Sequence, residues 1–135
     1  MKKTIKNILA ILVGVFIGGS TNMLIISNSN AFVALPKGVV PEDLESLSSN
    51  IHLFEPIHFL MPFLAHSIGT FCGAFIASKI AVNHKLKFAL TIGVFFLIGG
   101  VQMSSFLDSP LWFDLVDVSV AYIPMSLLGY KLAVK

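Results

Sequence analysis

Three histidines and a glutamate are set into the apolar stretch His52–Ala81, HLFEPIHFLMPFLAHSIGTFCGAFIASKIA. Imidazole and carboxylate groups exchange protons and bind metals, so their spacing here is the first test of whether the chain does chemistry. Wound as a helix at about 100° per residue, Glu55, Pro62, His66, Gly69, Gly73 and Ala77 share one narrow arc, with His58 beside it. Phe, Leu and Ile fill the other faces. Glu55-x-x-His58 is half of a di-iron-type carboxylate motif, but Pro56 interrupts it and no second Glu-x-x-His occurs. Glu55, His58 and His66 are therefore the only metal set the spacing offers, and no metal or other cofactor is expected. His52 reads as an interfacial residue and His84 as a polar turn residue. Cys72 is the only cysteine, so one chain can form neither a disulfide nor a zinc cluster.

The elements that must position these groups are membrane spans. Of 135 residues 56% are hydrophobic and 12% charged, and the mean hydropathy is +0.88, far above an ordinary soluble domain. Four apolar runs, about 5–26, 57–81, 88–107 and 111–134, each approach the ~20 residues that cross a bilayer core. The predicted fold is an all-α integral membrane protein, a single domain over 1–135 with four transmembrane helices in an antiparallel bundle. In the outer loop, Leu44, Leu47, Ile51 and Phe54 recur at helical spacing behind Pro41, Glu42, Asp43 and Glu45, which predicts an amphipathic surface helix over about 41–54.

Charge placement sets the orientation. Eight of nine lysines flank one side of the spans, Lys37 alone lies on the other, and all seven acids lie toward that other side. Positive-inside reasoning puts both termini in the cytoplasm of a bacterial inner membrane. The net charge of +2 is then a topology signal and implies no nucleic-acid partner. Ile8–Ile26 exceeds the about 7–15 residues of a signal-peptide core, so the first span is expected to be retained.

Small residues recur at four-residue spacing in two spans: Gly14 and Gly18 ahead of Asn22 in the first, and Gly69, Gly73 and Ala77 in the second. Such ladders let helices approach closely where lipid supplies no hydrophobic drive, and the first also suits a homo-oligomer or another membrane protein. Pro62 and Pro124 are expected to kink their spans.

Counting about 20 residues outward from the last lysine of each span places Asn22, His66, Gln102 and Asp117 roughly 6–10 Å below the outer surface. Each helix would give one polar group to a common layer. His66 with Asp117 is the natural pair, Asn22 and Gln102 would satisfy remaining donors and acceptors, and Glu55, His58, Asp108 and Asp114 would ring an outward pocket mouth. Three functions compete for such a layer. Interhelical polar contacts in a structural or accessory protein come first. A small transporter, channel or sensor element binding a proton, ion or small solute comes second. A membrane enzyme with a His–Asp or metal site comes third. No phosphate-binding loop, nucleophile elbow or His-Glu-x-x-His is present, and one short chain lacks the two halves that alternating access uses.

GGSTNM at the end of the first span, HLFEPIHF, AHSIGTFCGAFIASKIA, and WFDL with AYIPM in the last span resemble a family of small four-span bacterial inner-membrane proteins with no assigned activity. The resemblance covers nearly the whole chain and implies the four-span fold, without a site or cofactor.

Overall fold

Six α-helices account for most of the chain in a computed structural model, which describes residues 2–135. They are α1 (Lys2–Phe32), α2 (Leu44–Ser49), α3 (Leu60–Ile80), α4 (Lys85–Leu107), α5 (Leu111–Val120) and α6 (Ile123–Ala133). No strand occurs among the described residues. Four stretches are long and apolar enough to cross a membrane: Lys2–Phe32, Pro56–Ile80, Lys85–Leu107 and Leu111–Ala133.

The apolar faces of these stretches point largely outward. Phe16, Leu24, Phe95, Ile98, Leu111 and Leu115 are exposed, while the buried set is dominated by alanines, glycines and small hydroxyls. A water-soluble domain would invert this arrangement. Here small residues permit close helix contact, and bulky ones face what surrounds the bundle.

Helix α3 is the hub, packed against α1, α4 and α6. Its crossing with α1 is a double glycine seam. A methyl group added to Gly14 would lie 2.9 Å from the Gly73 carbonyl oxygen, and one on Gly73 would lie 2.7 Å from that of Gly14. Gly18 and Gly69 repeat the arrangement at 2.7 and 2.8 Å. The two ladders read from the sequence thus meet each other, Gly14 opposite Gly73 and Gly18 opposite Gly69. Helix α6 approaches α3 through Gly129, which faces the Phe71 carbonyl, and α4 approaches α6 where Gly93 meets Ser126. Ile92 closes the middle, with Ala74, Ala77 and Ala89.

Element boundaries depart from the sequence reading in three places. First, α1 runs six residues past Ile26 to Phe32, because Thr21 and Asn28 turn their side chains back onto the Ile17 and Leu24 carbonyls and the polar end stays helical. Second, the surface helix is short. It starts at Leu44, not Pro41, with Asp43 as N-cap accepting from the Glu45 backbone N–H at 3.0 Å, and after Ser49 the 3₁₀ turn Ile51–Leu53 follows. The Ser48 hydroxyl ties α2 to the Phe106 carbonyl at the end of α4. Third, Pro62 sits in the first turn of α3, just after the 3₁₀ turn Pro56–Phe59, where the chain changes helix type.

The last span is broken. The helix is interrupted at Ala121–Tyr122, although the Ala121 N–H still reaches the Asp117 carbonyl and the Tyr122 carbonyl accepts from the Ser126 N–H, both at 2.8 Å; Pro124 lies at the start of α6, where it has no N–H to offer the preceding turn. Tyr122 takes φ −111° and ψ −76°, off the regular helix.

Candidate functional site

The break delivers Tyr122 to a polar group built from two spans. On α3, the His66 Nδ1–H donates to both oxygens of Asp117 on α5, at 3.0 and 2.9 Å. The Tyr122 hydroxyl donates to Asp117 Oδ2 at 2.7 Å, and its oxygen lies 3.0 Å from His66 Nδ1. An ionised carboxylate only accepts, and in that state the Tyr122 hydroxyl and a proton on His66 Nδ1 would both donate to it. The His66 and Tyr122 rings lie 5.7 Å apart, tilted by 30°. Asp117 is 6% exposed at its side chain and His66 21%. A carboxylate this deep needs hydrogen-bond partners to hold it, and it has two.

Helix α4 contributes space in place of a polar side chain. The Tyr122 hydroxyl occupies the position that a Cβ would fill at Gly100. Gln102, the residue expected from α4, is two positions on and therefore about 200° around the helix; it is exposed and makes no hydrogen bond among the described residues. Asn22 packs over Gly69, one turn along α3 from His66, and its side-chain oxygen is buried with no partner among the described residues. The layer counted from lysine positions therefore resolves into a joined group, His66–Asp117–Tyr122, and two residues outside it.

The residues expected around a pocket mouth have other partners. His58 Nδ1 accepts from the Glu55 backbone N–H at 2.8 Å and caps the turn Pro56–Phe59, which fixes its lone pair on Nδ1. Asp114 Oδ1 accepts from Ser109 Oγ at 2.7 Å and also from Ser104 Oγ, bracing the link between α4 and α5. Asp108 forms that link in the left-handed region, φ 56°. Between these positions the N-terminal ends of α3 and α5 are filled by rings: the Phe59 centroid lies 4.9 Å from that of Phe113 and 5.5 Å from that of Trp112, and the Phe54 centroid lies 5.8 Å from that of Phe59. Phe59 and Phe113 are buried.

Two open concavities lie elsewhere, one along the turn between α3 and α4 and one on α4 at Lys87, Leu90, Thr91 and Val94. Neither is lined by His66, Asp117 or Tyr122. No cluster of three or more His, Cys, Asp or Glu side chains able to hold a metal occurs among the described residues, so Glu55, His58 and His66 are not brought together as ligands.

Tyr122 is the site residue that sequence reasoning missed. On an unbroken helix, position i+5 from Asp117 lies about 140° away, so the pair is invisible to a helical wheel. Pro124 was the available signal, since it marks where the span departs from regular geometry.

Comparison with protein-family models, curated proteins and solved structures finds no match for the chain.

Proposed function

We propose that this chain is a structural or accessory protein of the bacterial inner membrane, an antiparallel four-span bundle with both termini in the cytoplasm, in which His66, Asp117 and Tyr122 form a polar clamp between the second and fourth spans. The observation that carries this reading is the carboxylate's satisfaction: it has two neighbours within hydrogen-bond distance, and aromatic rings pack the adjoining helix ends. Such a group fixes which helices pair, at about 0.6–2 kcal/mol per contact in a bilayer. The lysine distribution supports the orientation.

A second reading keeps the same residues. His66 Nε2 has no partner among the described residues and the imidazole is 21% exposed, as a group exchanging a proton or meeting a small solute would be. Thermal unfolding of His66→Leu, Asp117→Leu and the double variant in detergent separates the two. The clamp requires each single loss to destabilise and the double loss to cost clearly less than their sum. Independent, near-zero effects would overturn it in favour of the solute reading.

A further inference from the structure

The concavity at the lysine end, about 500 Å³ in volume, is lined by Val82, Asn83, His84, Lys85, Leu86 and Lys87 of the α3–α4 turn and by Tyr130 and Val134 of the last span. Its wall is two-sided in character. Lys85, Lys87 and His84 supply cationic or donor groups, with no carboxylate side chain in the lining, while Val82, Leu86 and Val134 are apolar and exposed. The turn is held from outside by Asn7, whose Nδ2 donates to Asn83 Oδ1 at 2.7 Å and whose Oδ1 accepts from the Val82 N–H at 3.1 Å. His84 is locked at φ 49°, and its side chain caps nothing. The N–H groups of Lys85 and Leu86, first in α4, bond to nothing among the described residues.

We propose that this concavity binds the phosphodiester headgroup of an anionic phospholipid, with Lys85 and Lys87 contacting the phosphate and Val82, Leu86 and Val134 meeting the glycerol and upper acyl chain. The three apolar residues decide between a lipid and a free phosphate ion: an inorganic anion gains nothing from them, whereas a lipid at the membrane boundary presents both kinds of surface at once. Basic recesses between spans on the cytoplasmic side suit anionic headgroups. The site shares no residue with the His66 clamp, and it rests on the part of the proposed function that puts the chain in a bilayer with its lysine end in the cytoplasm.

Native mass spectrometry of the delipidated full chain tests it, titrating phosphatidylglycerol against phosphatidylcholine and, separately, inorganic phosphate. Phosphatidylglycerol should be retained about tenfold or more over phosphatidylcholine, since each lysine near an anionic headgroup favours it substantially. Lys85→Gln with Lys87→Gln should abolish that preference without moving the melting temperature, and Lys131→Gln with Lys135→Gln should leave it in place. Equal retention of both lipids, an unaffected Lys85/Lys87 double variant, equal loss in the Lys131/Lys135 control, or displacement of the lipid by inorganic phosphate would each overturn the proposal.

Discussion

The Tyr122 hydroxyl sits where Gly100 lacks a side chain, so a residue with no functional group on α4 fixes the position of a donor on the last span. Gly100→Ala should push the hydroxyl off Asp117 and destabilise the bundle by about 1–3 kcal/mol, as overpacking usually does. Adding Tyr122→Phe removes the atom that collides and should recover part of the loss. Gly99→Ala, next door, has nothing within 4 Å of its added methyl and should be neutral or gain up to about 1 kcal/mol from helix propensity. Thermal melts of the three variants in one detergent decide this, and an equal loss at Gly99 would show that the hydroxyl is not the cause.

The glycine seam predicts a different pattern. Gly14→Val and Gly73→Val each place atoms against a backbone carbonyl that cannot swing aside, so both should separate α1 from α3 and cost several kcal/mol, about the upper range for single substitutions. Gly19→Val points into open space and should leave the pair intact. Disulfide trapping between cysteines introduced at Ala10 and Ala77 would read the loss directly, with retained trapping in the Gly14 variant as the contrary result.

Gln102 and Asn22 should behave unlike the clamp residues. Gln102→Leu removes an exposed amide with no hydrogen bond to protein and is expected to be neutral or stabilising in a bilayer. Asn22→Leu removes a buried oxygen without a partner, and relief of that atom should offset much of any packing cost, leaving a change within about 1 kcal/mol. A loss at either site as large as that of Asp117→Leu would restore the four-residue layer.

Replacing Asp114 by Ala should loosen the α4–α5 link, because Ser104 and Ser109 both donate to it. The expected cost is about 1–2 kcal/mol, accompanied by faster hydrogen exchange confined to the turn at Asp108–Pro110. Protection changes spreading to His66 would mean that the two polar groups act as one.

Much of this was legible along the chain. Apolar runs and lysines mark the spans, four-residue glycine repeats mark the two faces that meet, and His66 and Asp117 fall at the same counted depth. Depth is a one-dimensional quantity, which is why counting succeeded there. Rotation about the helix axis is set by packing, and that is why Gln102 was assigned inward when α4 turns Gly100 to the interior. Asp117 and Tyr122 meet only because the helix lapses at Ala121–Tyr122, a departure that Pro124 signals without giving its angle. His58 looked like a ligand because its capping bond to Glu55 uses the same three-residue spacing as a metal half-site.

The order of synthesis gives the break at Ala121–Tyr122 a further meaning. The seam between α1 and α3 can close as soon as residue 80 has emerged, but the imidazole at 66 waits for two partners that come some fifty residues later. A polypeptide interrupted before Asp117 would leave that ring without either partner, so completion of the final helices is what settles the earlier ones.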